Sequence, residues 1–209
     1  MQQQTVLVTG GTGFVATHVI VQLLQQGYQV NTTVRSVSSQ TQLFETLKSA
    51  GIQVSQDNLQ LIEADLLDDN NWLTAMRDCD FVLHVASPLP IGDPKNEDDV
   101  IKPAVEGTLR VLTFAKKAGV KRVVMTSNFG AVGYSHTDTS EVITEQSWTN
   151  PKQKGLSVYN KSKVLAERAA WDYIYSEGQG LELAVINPMG IFGLLLISVY
   201  LLDMPCCVN

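Results

Sequence analysis

Two residues of the sequence have side chains and a spacing suited to proton transfer. Tyr159 and Lys163 lie four positions apart near the start of a predicted helix, so both side chains fall on one face of it. A tyrosine phenol has a pKa of about 10 and is a weak acid at neutral pH. A neighbouring ammonium stabilises the phenolate and lowers that pKa toward the working range. The alternative interpretation is a chance Tyr–Lys pair at helical spacing.

A glycine-rich turn near the N-terminus predicts a nucleotide site. The apolar run 6–8 is typical of a strand buried in a parallel sheet. Gly10, Gly11 and Gly13 follow it, and a helical pattern opens at Ala16. Glycine permits positive φ and lets a pyrophosphate approach the backbone, while the helix offers free N–H groups to phosphate oxygens. This strand–turn–helix context, with its Gly-x-Gly-x-x-Ala spacing, favours a dinucleotide site over an ordinary glycine turn.

The charge near this turn favours a phosphorylated dinucleotide. Residues 1–44 contain no Asp or Glu, and Arg35 is their only Lys or Arg. Arg35 follows the second predicted strand, where an NAD-binding sequence would carry an acid for the ribose hydroxyls. Because a guanidinium can grip a 2′-phosphate by paired hydrogen bonds, we predict NADP(H) as the cofactor. A solvated arginine at a strand end is the alternative.

Apolar runs and helical periodicities alternate along the chain. The predicted strands are 6–8, 28–35, 59–64, 81–86, 121–127 and 181–186, and the predicted helices run from Ala16 to a cap at Gly27 and over 42–50, 69–78, 98–118 and 158–176. This alternation predicts an α/β fold, a doubly wound parallel sheet with helices on both faces.

Ligands of such sheets bind beyond the carboxyl ends of the strands. Five residues at these ends are expected to ring one cleft: Gly10, Arg35, Asp65, Ala86 and Ser127. His84 lies inside the apolar fourth strand, and we predict that it packs in the core rather than acting in catalysis.

Composition limits the possible partners. The 209 residues are 44% hydrophobic and carry a formal net charge of −6, so neither nucleic acid nor an anionic membrane is an expected partner. Cys79, Cys206 and Cys207 have no metal-site or disulfide spacing, and no metal site is predicted. The N-terminus lacks a signal-peptide layout, so the expected location is the cytoplasm.

Several motifs occur together in a fixed order. They are Thr9-Gly10-x-x-Gly13-Phe14, Asp65-Leu66, His84-Val85-Ala86-Ser87-Pro88, Thr126-Ser127, Tyr159-x-x-x-Lys163 and Asn187-Pro188. In order and spacing they resemble those of the extended short-chain dehydrogenase/reductases, within the NAD-dependent epimerase/dehydratase superfamily. Segments 32–35 and 159–171 are similar to the dihydroflavonol-reductase and aldehyde-reductase branch. The resemblance covers residues 5 to about 193.

This resemblance implies a Rossmann fold and hydride transfer from NADPH to the carbonyl of a small aldehyde or ketone. Tyr159 would protonate the developing alkoxide, and Lys163 would hold the nicotinamide ribose and tune Tyr159. The family usually has two serines where this chain has Ser127-Asn128, so either residue could bind the carbonyl oxygen. The other implied contacts are Gly10, Thr12, Gly13, Phe14 and Val15 for the pyrophosphate, Arg35 for the 2′-phosphate, Asp65 and Leu66 for adenine, Ala86 for ribose and Pro188 for nicotinamide.

The sequence departs from the family after residue 193. Family members continue much further and build a substrate domain, whereas residues 194–202 form an apolar run too short to span a bilayer. We therefore expect a cofactor domain at 1–193 and a non-family tail at 194–209, from truncation or frameshift. A short buried helix that seals the sheet is the alternative.

Three functions are consistent with these features. The first is an NADPH-dependent carbonyl reductase, whose activity the missing domain could impair. The second is a nucleotide-sugar epimerase or dehydratase, which Arg35 argues against because those enzymes more often carry an acid there. The third is a non-catalytic NADP(H)-binding remnant or sensor. The oligomeric state and the substrate are not predicted.

Overall fold

The computed structural model describes residues 3–88, 94, 96–136, 138, 140–194 and 196. The strands are β1 (Thr5–Val8), β2 (Gln29–Val34), β3 (Leu59–Glu63), β4 (Phe81–His84), β5 (Arg122–Thr126) and β6 (Glu182–Ile186). The helices are α1 (Phe14–Gln25), α2 (Gln40–Ser49), α3 (Trp72–Ala75), α4 (Asp98–Lys117) and α5 (Val158–Ser176), with short 3-10 turns at Val37–Ser39 and Phe129–Ala131.

All six strands pair in parallel, in the order β3-β2-β1-β4-β5-β6. The order reverses beside β1, where the chain passes from one half of the sheet to the other, and dinucleotides bind at this kind of crevice. The doubly wound parallel sheet predicted from the sequence is thereby confirmed.

Helices cover both faces of the sheet and form two cores. One core packs α3, α4 and α5 on the sheet around Trp72, Leu112 and Val123. The other packs α1 and α2 around Ile20 and Leu47. Successive residues of β1 alternate between the two cores, which therefore lie on opposite faces of the sheet.

One predicted helix is much shorter in the structure. A helix was expected over 69–78, but α3 has only four residues because left-handed backbone precedes and follows it, at Asn71 (φ 63°) and Asp78 (φ 58°). The residues before it form turns instead, since Asp65 and Asp68 each accept a hydrogen bond from the backbone N–H two residues later. In the described part of the chain, no helix is both long enough and apolar enough to cross a membrane.

Candidate functional site

The glycine turn after β1 is pressed against the ends of the neighbouring strands. Gly10 has φ +73°, and a Cβ there would lie 3.0 Å from the Cβ of Ala86. A Cβ on Gly11 would lie 2.3 Å from Oγ1 of Thr32, a fully buried residue whose hydroxyl donates to the carbonyl of Val8 at 2.8 Å. These contacts require glycine for reasons of space at both positions, in addition to the turn itself.

Hydrogen bonds hold the turn in a shape suited to an anion. The N–H of Gly10 donates to Oγ1 of Thr33 at 3.0 Å, and the N–H of Gly13 donates to the carbonyl of Gly10 at 2.8 Å. Gly13 is the N-cap of α1, where no side chain caps the helix and the first turn contains no acid. The first N–H groups of a helix have no intrahelical partner, so those of Phe14 and Val15 can serve phosphate oxygens. Thr12 is exposed beside them.

The predicted adenine end contains Arg35, Asp65 and Leu66. Arg35 is exposed directly after β2. Asp65 uses Oδ1 to accept from the N–H of Leu67 at 2.9 Å, so its carboxyl group shapes its own turn. Leu66 packs on α4, where a Cβ on Gly107 would lie 3.1 Å from the Cβ of Leu66. These residues lie at successive strand ends of one half of the sheet.

Thr9 and His84 form a buried polar pair beneath the turn. Thr9 Oγ1 accepts from the N–H groups of Val85 (3.0 Å) and Ala86 (2.9 Å), and lies 3.0 Å from His84 Nδ1. The Thr9 hydroxyl already accepts two hydrogen bonds, so it donates its single proton to His84 Nδ1. Because Nδ1 is an acceptor in this bond, the imidazole is neutral. Burial, aided by the charge of Lys163, lowers the pKa of His84 to about 3. The prediction that His84 packs in the core is confirmed.

Lys163 is a buried ammonium at the centre of the candidate site. Its side chain is 6% exposed, and Nζ donates to Oγ of Ser87 at 3.0 Å. Burial lowers its pKa from 10.5 to about 8. A cavity of about 10 Å³, the size of a single water, is lined by Lys163 together with Leu66, His84, Ala86, Ser87 and Thr126, among others.

Tyr159 lies beside Lys163, as the helical spacing predicts. Nζ of Lys163 is 5.5 Å from the centre of the Tyr159 ring, and both side chains project from the first turns of α5. The pKa of Tyr159 is raised by burial. The expectation that the ammonium lowers this pKa is wrong for this structure, because the ammonium faces the ring and Ser87, and desolvation of the phenol dominates.

Ser127 and Asn128 follow β5 and differ in accessibility. Ser127 is 4% exposed, and its Oγ is shielded from solvent without a hydrogen-bond partner among the described residues. Asn128 is half-buried, and its Oδ1 accepts from the N–H of Gly130 at 2.7 Å, capping the turn that follows. This cap fixes the orientation of the Asn128 amide and leaves its Nδ2 donor directed elsewhere.

The segment after β6 pairs with the segment after β5. The N–H of Phe129 donates to the carbonyl of Pro188 at 2.9 Å, so the predicted nicotinamide residue lies beside the two candidates for the carbonyl oxygen. Asn187 Nδ2 donates to Oε2 of Glu167, a buried residue of α5, at 2.7 Å.

Sequence reasoning assigned no role to Glu167. A signal was present, because Tyr159, Lys163 and Glu167 follow one another at intervals of four along α5 and therefore form a single stripe. The predicted tail at 194–209 lies outside the described residues except for Leu194 and Leu196. Within the described residues, no group of three or more His, Cys, Asp or Glu is arranged to hold a metal ion.

The chain is similar to known proteins in sequence and in fold. Residues 7–196 match the model of the 3-beta hydroxysteroid dehydrogenase/isomerase family. The chain is 37% identical over 196 residues to an anthocyanidin reductase ((2S)-flavan-3-ol-forming) of Vitis vinifera, covering 89% of this chain and 55% of the relative. It is 34% identical over 197 residues to the ketoreductase azaE of Aspergillus niger, covering 90% of this chain and 57% of that one.

A solved structure has the same fold. The yeast methylglyoxal/isovaleraldehyde reductase Gre2, complexed with NADPH, aligns with a TM-score of 0.77 and 30% identity, covering 91% of this chain and 59% of that one. The chain therefore spans between 55% and 59% of the length of these three proteins. Since the family model matches most of the chain, the chain belongs to the 3-beta hydroxysteroid dehydrogenase/isomerase family, which agrees with the predicted resemblance.

Proposed function

We propose that this family member is an NADPH-dependent reductase that adds hydride to the carbonyl of a small aldehyde or ketone. The observation that carries the proposal is the buried ammonium of Lys163, which faces the Tyr159 ring at the strand ends where the glycine turn also lies. The relatives support it, because all three are named reductases and one is a complex with NADPH.

The residues of the turn fit a phosphorylated dinucleotide. A Cβ would fill the space at Gly10 and Gly11, and the uncapped N-terminus of α1, without an acid in its first turn, suits a pyrophosphate. The exposed Arg35 is the basic residue at the end of β2, where a 2′-phosphate would be recognised. NADPH, when bound, supplies the hydride.

Two residues of α5 supply a proton for the carbonyl oxygen and a positive charge beside the phenol. Tyr159 donates its phenolic proton to the oxygen of the carbonyl as the carbon accepts the hydride, and the product is an alcohol. Lys163 is protonated below pH 8, and its positive charge offsets part of the desolvation cost of the phenolate that this donation leaves behind. Lys163 would also hold the ribose hydroxyls on the nicotinamide side.

Asn128 binds the carbonyl oxygen through Nδ2. Two observations favour it over Ser127: its amide is half-buried and held by the cap on Gly130, whereas Oγ of Ser127 is shielded from solvent. Asn128→Asp keeps an oxygen for the cap but removes the donor, so we expect kcat to fall about 100-fold or more. Ser127→Ala is the matched variant and should change kcat little; the reverse pattern would transfer the role to Ser127.

The proposed function is tested by incubating the purified chain with NADPH and a panel of aldehydes and ketones. We expect NADPH to be consumed in equal amounts with the alcohol formed, measured by absorbance and by gas chromatography of the product. Binding of NADPH without alcohol from any substrate would instead indicate a non-catalytic cofactor-binding protein. Failure to bind NADPH would reject both the reductase and the non-catalytic cofactor-binding protein.

A further inference from the structure

Glu167 is a carboxyl group inside the protein, close to the proposed catalytic residues. It is 3% exposed and lies on α5, one turn after Lys163. Its helical neighbours Val164, Ala166 and Ala170 are buried apolar residues. Burial of a carboxyl group costs free energy, so an apolar side chain would serve packing better at this position. A polar contact of the carboxyl group must therefore offset this cost.

Glu167 contacts the side-chain amide of Asn187. This amide follows β6 and also bonds the segment after β5, so it connects three parts of the chain. Asn187 Nδ2 donates to Oε2 of Glu167 at 2.7 Å and to the backbone carbonyl of Asn128 at 3.2 Å. Both partners are oxygens that accept, so the amide nitrogen must face them and both of its protons are used. One amide therefore joins α5 to the ends of β5 and β6.

Two backbone hydrogen bonds complete this link. The N–H of Ser127 donates to the carbonyl of Ile186 at 2.8 Å, and the N–H of Phe129 donates to the carbonyl of Pro188 at 2.9 Å. The segments after β5 and β6 thus run side by side, with the side chain of Asn187 between them and α5. In the proposed function, the first segment would bind the carbonyl oxygen and the second would border the nicotinamide.

We infer that Glu167 is a positioning residue for hydride transfer, an inference that rests on the proposed reductase function. By holding Asn187, Glu167 sets the position of Asn128 and Pro188 relative to Tyr159, which projects from the same helix. A small misplacement of reacting groups lowers the rate far more than it lowers binding. Loss of the acceptor should therefore lower kcat and the stereoselectivity of the product, while NADPH affinity stays unchanged.

Two substitutions distinguish the role of Glu167 as a hydrogen-bond acceptor from its role in packing. Glu167→Met keeps a side chain of similar length but removes the acceptor, and kcat should fall about tenfold to hundredfold, with a lower enantiomeric excess from a prochiral ketone. Glu167→Gln keeps an acceptor oxygen and should restore most of both quantities. A Met variant with the kcat and product of the parent, or a Gln variant as impaired as Met, would overturn the inference.

A control accounts for simple loss of stability. Asn31→Leu removes another buried amide, which lies within β2 and donates to the carbonyl of Ala75 on α3 at 2.9 Å, whereas Tyr159, Lys163 and Glu167 lie on α5. It should lower the unfolding temperature while leaving kcat unchanged. If Glu167→Met does not fold, Asn187→Ala breaks the same link from its other end and takes its place, with the same expected loss of kcat and selectivity.

A measurement that needs no activity keeps this inference separate from the proposed function. Amide hydrogen exchange at Ser127 and Phe129 should become faster in Glu167→Met and remain slow in Glu167→Gln. A chain without reductase activity would reject the proposed function, and the exchange rates would still test whether Glu167 holds the two segments. Unchanged exchange in Glu167→Met would overturn the positioning role even if the chain is an active reductase.

Discussion

The two halves of the candidate site depend on different parts of the chain, one on backbone and the other on side chains. The cofactor half, formed by the turn after β1, the start of α1 and the residue after β2, depends on backbone: glycines in close contact with neighbouring strands, and the uncapped N-terminus of α1. The catalytic half, formed by α5 and the ends of β4, β5 and β6, depends on buried side chains that can ionise. His84, Lys163 and Glu167 are each less than 10% exposed.

This difference has consequences for what each half tolerates. At Gly10 and Gly11 the backbone half has no spare space, so an added methyl group there must displace a neighbour. The side-chain half keeps ionisable groups in the interior at a cost in stability, so changes there should alter proton chemistry more than they alter the fold. Substitutions in the two halves should therefore differ in the property that they impair.

Gly11→Ala should be the most damaging change. The new Cβ would lie 2.3 Å from Oγ1 and 3.0 Å from Cγ2 of Thr32, a buried β-branched residue that cannot move without losing its bond to Val8. We expect a loss of about 3 kcal/mol in the free energy of unfolding, measured by urea denaturation, together with loss of NADPH binding.

Gly27→Ala is the matched control for Gly11. Gly27 has φ +83°, but a Cβ there would meet nothing within 4 Å. Its cost should be only the backbone strain of about 1 kcal/mol, with NADPH binding retained. Equal effects at the two glycines would mean that the contact with Thr32 does not constrain the turn.

Arg35→Ala should weaken NADPH binding selectively. Hydrogen bonds to a charged group contribute about 1.5–3 kcal/mol, so the affinity for NADPH should fall about tenfold to hundredfold while the affinity for NADH stays the same. Fluorescence titration with both coenzymes measures this. The control is Arg77→Ala, which removes an exposed arginine that precedes β4. If the parent binds the two coenzymes equally, Arg35 does not recognise the 2′-phosphate.

Lys163→Met should have a small effect on the free energy of unfolding, and this effect should depend on pH. The pKa of Lys163 is lowered from 10.5 to about 8 by burial, so between these pH values the unfolded chain holds a proton that the folded chain has released. The free energy of unfolding therefore gains a contribution that rises with pH across this window. Cys79 and Tyr159, whose pKa values are raised by burial, contribute the opposite trend in both proteins, so the difference between the proteins reports Lys163. Urea denaturation at both ends of the window should show that the free energy of unfolding changes more favourably with pH in the parent than in Lys163→Met. An equal change in both proteins would contradict burial of the ammonium.

The same contrast explains how far the sequence could predict the molecule. The glycine turn, the strand ends and the parallel sheet follow from local patterns, because backbone conformation and hydrophobic periodicity depend on nearby residues. The Tyr159–Lys163 pair was predictable for the same reason, since both residues lie on one helix.

The contacts of the buried side chains were not predictable in this way. Lys163 bonds Ser87, 76 positions earlier, and Glu167 bonds Asn187, 20 positions later. No periodicity encodes such pairings, and desolvation depends on how much protein surrounds a group, which is why the direction of the Tyr159 pKa shift was wrong. The short α3 has a local cause, the left-handed Asn71 and Asp78, that the helical pattern concealed.

In the proposed function, the backbone-built cofactor site would hold NADPH beside a carbonyl whose oxygen Tyr159 protonates. Tyr159→Phe tests it most directly, because it removes one hydroxyl from the catalytic half and nothing from the cofactor half. With NADPH and the best carbonyl substrate of the parent, we predict that kcat falls about 100- to 10,000-fold while the dissociation constant for NADPH is unchanged. Turnover equal to that of the parent would contradict the account, because the proton would then come from another residue.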